Sequence, residues 1–509
     1  MGKLAHVACI LLVVSVGASG QDLSPQRVSK FVNIFASAVM PEADDSASHA
    51  LAPAAQAQAA ISSAEFEGAY LEDGKGWSIW DERTNNPGAV PREKRVYLNQ
   101  TGNVACDFYH RYREDMLTAK GLGATHYRMS IAWTRIFPNG DGAINQPGVD
   151  HYSEQIDFAI AIGLEPVLTC YHWDLPQALQ ERFGGWNSEQ IVPIFATYAA
   201  TIFKAFGDRV LYWTTINEPK TFCWEGYGGG MHAPGISDEE QVANCSLNVL
   251  KSHAAAFKKF KELVPGGKIS MNLNAEWTLP FDPNSELDKA AAERKMEFEF
   301  GVFAHPIFFG QFPESVRARL PYLPEISPEL AEALVGSFNY IALNHYTSTY
   351  ARHKDGATSQ IGRCDYEVSH VGADGLTLGE PGDSGWLYSV PWGFRKVLNY
   401  VNDMYKPDEI SVTENGFNVP GESDMTMDQI LNDTKRIKFF KEYTESGVAA
   451  AVYDKVPITS YYAWAQTDNF EWQDGYSKHF GVIHVNFTTQ KRTKKASARF
   501  LEGIFSNAK

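Results

Sequence analysis

From about residue 60 to 505, short apolar runs rich in β-branched residues take turns with amphipathic helical stretches. A chain with this alternation folds as repeated strand–helix units around a parallel sheet, because parallel strands need long crossovers and those crossovers cover the sheet. Strands are predicted at 125–130, 165–170, 210–216, 268–273, 340–343, 409–412 and 459–464. An eighth is placed near 59–66 by counting, since the Ala- and Ser-rich sequence there has poor strand propensity. No Pro/Ser linker divides the region and no short repeat overlies the alternation. The expected fold is a single-domain (β/α)8 TIM barrel over 59–509.

Polar residues gather just after the predicted strands: His172-Trp173-Asp174, Asn217-Glu218-Pro219, Asn344-His345-Tyr346, Glu414-Asn415-Gly416, and Asp468-Asn469-Phe470-Glu471-Trp472. In a parallel barrel all C-terminal strand ends face one way, so these distant segments converge on a single mouth. Two Glu residues there suit glycosidic bond cleavage, which needs one acid to protonate the leaving oxygen and a second group to meet the oxocarbenium-like centre. A carboxyl separation of about 5–5.5 Å gives direct attack and retention, and a wider gap admits water and inverts. The negative charge of Glu414 raises the pKa of Glu218 and keeps it protonated, while Arg128 keeps Glu414 ionised from the layer below.

These motifs resemble glycoside hydrolase family 1, the β-glucosidase-like enzymes. The resemblance runs from Glu67-Gly68-Ala69, Asp73-Gly74-Lys75-Gly76 and Ser78-Ile79-Trp80-Asp81 to Lys495-Ala496-Ser497-Ala498. Thr215-Ile216-Asn217-Glu218-Pro219 resembles the family's acid/base motif, and Val412-Thr413-Glu414-Asn415-Gly416 its nucleophile motif. The resemblance implies that His172 and Asn217 bind sugar hydroxyls, Asn217 at O2, and that Glu471 accepts from O4 and O6. Trp464 and Trp472 would line the ring, and Tyr346, with Asn344 beside it, would orient the nucleophile. Glu218 implies an O-glycoside as substrate, with a thioglycoside as the other reading, and an ionised Glu471 would repel a 6-phosphosugar. One position departs from the pattern: Glu65 stands where the family has a Gln that binds O3 and O4. A carboxylate accepts from both hydroxyls but cannot donate as an amide does, which leaves the gluco, galacto or fuco preference open.

The remaining features concern location and partners. A formal charge of −16 disfavours nucleic acid phosphates and anionic membranes, and 30 Phe, 23 Tyr and 12 Trp provide flat faces suited to pyranose rings. Residues 1–20 carry one Lys, an apolar run from Val7 to Val16 and a small-residue exit, the pattern of a secretory signal peptide. Residues 21–58 read as an arm, helical at first and then Ala-rich and acidic. Cys223 and Cys245 flank a Gly-rich loop as one expected disulfide, with buried thiols as the other reading, and Asn99, Asn244, Asn432 and Asn486 begin glycosylation sequons. No metal cluster or nucleotide loop is recognised, so no cofactor is expected. The expected partner is a small glycoside or short oligosaccharide, and the aglycone and oligomeric state leave no signal. Beside hydrolysis stand two further readings: transglycosylation by the same intermediate, and a glycoside-binding or storage protein that has kept the barrel without turnover.

Overall fold

The computed structural model describes residues 56–360 and 362–506; the signal peptide and nearly all of the arm lie outside them. Eight parallel strands close a barrel in chain order: β1 (Gln56–Ala60), β2 (His126–Ser130), β3 (Glu165–Tyr171), β4 (Tyr212–Asn217), β5 (Lys268–Asn274), β6 (Ile341–Asn344), β7 (Ile410–Asn415) and β8 (Ile458–Ala463). Six fall within two residues of their predicted bounds, and β7 runs three residues past its predicted end, through Glu414 to Asn415.

The first strand corrects the sequence reading. β1 begins at Gln56, inside the stretch assigned to the arm, and residues 63–66 form a single helical turn rather than strand. Ala57 and Ala59 have no β-branched side chain to announce a strand; the segment is fixed instead by backbone pairing on both sides, Gln56 opposite Ser460 and Gln58 opposite His126. This pairing closes the barrel.

The other strands are buried on both faces, which explains why they read as nearly continuous apolar runs. Helices cover the outside. Ile191–Phe206 shows how: Phe195, Tyr198, Ala199, Ile202, Phe203 and Phe206 recur every three or four residues and are all buried. The Tyr198 hydroxyl then donates to Cys170 O at 2.7 Å, tying the helix to β3.

Cys223 and Cys245 are disulfide-bonded, their Cα atoms 5.8 Å apart. The bond fastens the short helix Pro219–Cys223, which follows β4, to the long helix Glu239–Leu263. Cys106, Cys170 and Cys364 are free and buried. Among the described residues no helix is long and apolar enough to cross a membrane.

Candidate active site

A cavity of about 510 Å³ opens at the C-terminal ends of the strands. Every residue singled out from the sequence for catalysis or sugar binding lines it: Glu65, His172, Asn217, Glu218, Tyr346, Glu414, Trp464, Glu471 and Trp472, with Asn344 among them. Arg128 does not; it lies buried in the barrel beneath Glu414.

Local backbone irregularities aim the two central carboxylates. On β7 the pairing register slips between Val412 and Glu414, and on β4 between Thr214 and Asn217. Such bulges bend a strand and redirect its side chains. Glu218 itself has φ 45°, left-handed and uncommon for a residue with a side chain, so β4 turns sharply into the helix that Pro219 begins. Trp173 and Trp472, at φ 73° and 44°, are turned into the cavity in the same way.

The two carboxylates meet opposite surroundings. Glu414 Oε1 is 2.6 Å from Arg128 Nη1, and its Oε2 accepts from the Tyr346 hydroxyl at 2.7 Å. Glu218 has no cation against it: Oε1 accepts from Asn344 Nδ2 at 2.7 Å and Oε2 from Thr221 Oγ1 at 3.1 Å. Burial first, and then the charge of Glu414, push the Glu218 carboxyl up to about 8. One group is ion-paired, and burial favours the proton on its neighbour.

Asn217 knits the pair together. Its Oδ1 accepts from Arg128 Nη2 at 2.8 Å, Asn272 Nδ2 at 3.2 Å and Asn344 Nδ2 at 3.3 Å. Its own amide nitrogen donates to His172 Nε2 at 3.0 Å, which puts the imidazole proton on Nδ1. Burial, followed by Arg128, pushes the His172 pKa well down, so the ring is neutral. Nδ1 is buried without a protein partner and is available to donate to a ligand. His172 stacks against Trp464 and Trp472, ring centroids 6.3 and 6.0 Å apart, and Trp173 leans on Trp472 at 4.7 Å.

Sequence reasoning missed several contributors. Thr221 and Asn272 bond the site but belong to no motif recognised from the sequence; only their nearness to the ends of β4 and β5 could have marked them. Trp386 and Phe480 stand at the cavity, rings stacked 6.5 Å apart, on segments with no strand-end signature. A half-exposed Trp beside Gly385 was the available hint.

A metal has no place in the one candidate cluster among the described residues. Glu422, Asp468 and His479 bring ligand atoms within 4.8 Å of one another. Lys495 Nζ already lies 2.5 Å from Glu422 and 2.8 Å from Asp468, and Arg436 bonds the other Glu422 oxygen at 2.6 Å.

A sequential parallel barrel that gathers an ion-paired and an unpaired carboxyl at its C-terminal mouth defines the class of barrel glycoside hydrolases. The chain belongs to glycosyl hydrolase family 1, whose model matches residues 57–509. It is 43% identical over 461 residues to beta-glucosidase 4 of Oryza sativa subsp. japonica, covering 87% of this chain and 93% of that one. Among solved structures it resembles a beta-glucosidase of the fungus Humicola insolens in complex with glucose, at TM-score 0.85 and 38% identity over 89% of this chain and 97% of that one. Beta-glucosidase 2 of the fungus Trichoderma reesei, in complex with Tris, matches at TM-score 0.86 and 37% identity over 89% and 99% of the two chains.

Proposed function

We propose that the protein is a secreted, retaining exo-β-glycosidase acting on O-linked β-glucosides or close relatives, with Glu414 as nucleophile and Glu218 as acid/base. One observation carries the reading: Arg128 and Tyr346 bind the two oxygens of Glu414, while burial and the charge of Glu414 favour the proton on Glu218.

In the first step Glu414 attacks the anomeric carbon as the Glu218 proton passes to the glycosidic oxygen, and the bond to the aglycone breaks. The product is a glycosyl ester on Glu414. Its formation removes the negative charge that helped to raise the Glu218 pKa, so Glu218 becomes a better-matched base for the incoming water. Water then attacks the anomeric carbon, Glu218 takes its proton, and Glu414 is released. His172 Nδ1, the amide of Asn217 and the Trp464 and Trp472 rings are the groups placed to hold the sugar. Secretion is supported by the leader pattern of residues 1–20 and by the Cys223–Cys245 disulfide, which persists in oxidising compartments.

The test is hydrolysis of a panel of nitrophenyl β-glycosides by the full chain, with the anomer of the released sugar followed by NMR. Release of the β anomer is expected. Release of the α anomer would refute retention, and inert gluco, galacto and fuco substrates would favour a binding protein.

A further inference from the structure

The cavity contains more acid than the proposed mechanism uses. Glu65 follows β1 on the turn Ser63–Phe66, with Oε1 accepting from Asn469 Nδ2 at 3.3 Å and Oε2 from the Ser62 hydroxyl. Glu471 lines the same cavity, and its Oε2 is buried without a hydrogen-bond partner. Phe470 N donates to Glu65 O at 3.1 Å, so the segment that carries Glu471 is fastened directly to the turn that carries Glu65, and the two carboxyls line one cavity.

Among the described residues neither Glu65 nor Glu471 has a Lys, Arg or His within ion-pair distance. The cations at the site are engaged elsewhere: Arg128 on Glu414, and Lys220 on Glu299 at 2.9 Å. His172 and His232 are both pushed down by burial and stay neutral. Both Glu65 oxygens lie against neutral donors, Asn469 Nδ2 and the Ser62 hydroxyl, and no cation offsets a charge there. Two buried carboxyls in this state take up protons or a cation.

We propose that Glu65 and Glu471 select an amino sugar, a glycone carrying an ammonium group at C4. This deepens the glycosidase reading and rests on it. A pyranose whose anomeric carbon lies between Glu218 and Glu414 presents C4, the ring carbon opposite, toward the far end of its pocket. An ammonium there displaces the carboxyl proton and makes charge-assisted hydrogen bonds to Glu65 and to the free Glu471 Oε2. A hydroxyl in the same place leaves both acids holding their protons. Glu65 is thereby a specificity-determining residue rather than a damaged position.

Two measurements on the full chain test this. The first is kcat/KM for 4-nitrophenyl 4-amino-4-deoxy-β-glucoside relative to 4-nitrophenyl β-glucoside, for the wild type and for Glu65→Gln. The ratio is expected to fall about tenfold or more in the variant; an unchanged ratio overturns the proposal. The second is calorimetric binding of free 4-amino-4-deoxyglucose and of glucose to the wild type, which needs neither turnover nor a folded variant. Tighter binding of the amine is expected, and equal or weaker binding overturns the proposal. Turnover of the plain glucoside without an amine preference sinks this inference and spares the glycosidase; loss of turnover on all glycosides sinks the glycosidase and leaves the binding comparison to decide this one.

Discussion

Two buried acidic regions lie close together and are built on opposite terms. Behind β7 and β8, Glu422, Asp433 and Asp468 are matched by Arg436 and Lys495, every one of them with a relative exposure of 4% or less. At the mouth, of Glu65, Glu218, Glu414 and Glu471, Glu414 alone has an ion-pair partner among the described residues, Arg128. In the first region each carboxylate is satisfied by the protein; in the second, three await a proton or a ligand. Balance ties the segment that carries Asp468 to the barrel, and imbalance is the property that the proposed proton transfer at the mouth requires.

The largest effect is expected where the Arg128–Glu414 ion pair meets chemistry. Glu414→Gln should lower kcat by about 10⁴-fold or more, since no other side chain takes over the nucleophile's role. Intact-protein mass spectrometry with a slow fluoroglycoside should show glycosylated wild type and unmodified variant. A glycosylated variant would mean that the attacking group lies elsewhere.

Glu218→Gln comes next and depends on the substrate. Alkyl glycosides, whose leaving groups need protonation, should lose about 10³-fold, while dinitrophenyl glycosides should lose far less in their first step. Equal losses on both would contradict the role of Glu218. The pH profile carries the same claim: the acid form is required, so kcat/KM should fall as pH rises through about 8. A basic limb unchanged in position when Glu414 is replaced would separate that limb from the pair.

Lys495→Met tests the balanced region. It takes the cation from Asp468 Oδ1 and from one oxygen of Glu422 in the interior, at an expected cost of about 3 kcal/mol in stability by urea denaturation. Restoring neutrality with Asp468→Asn in the same chain should recover part of that loss; failure to recover would show that Lys495 acts through packing rather than charge.

How much of this was legible in sequence follows from the same contrast. Seven strands announce themselves because burial on both faces demands apolar runs. Glu218 and Glu414 announce themselves because they end such runs. β1 was misplaced because its backbone pairs on both sides while its Ala-rich sequence carries no strand signal. Trp386 and Phe480 were missed since they arrive on long excursions whose course follows from tertiary packing. The departure at Glu65 was visible, but not its companion: that Glu471 lines the same cavity, also without a cation, is a fact of three dimensions.

The smallest expected effect concerns that pair in the absence of sugar. Burial and then the charge of Glu471 raise the Glu65 pKa, so the folded protein binds more protons here than the unfolded chain does. The sign follows directly: stability falls as pH climbs from the unfolded carboxylate range toward the raised folded value, and it is recovered on acidification. Glu471, raised to about 8, adds to the same slope. Glu65→Gln keeps the shape and removes the titrating proton, so at neutral pH it should stabilise the protein by about 1 kcal/mol and flatten the fall of stability above the unfolded carboxylate range. An equal pH slope in the variant and the wild type, read by thermal or urea unfolding across that range, would show that the unpaired carboxyl has no energetic cost in the empty cavity.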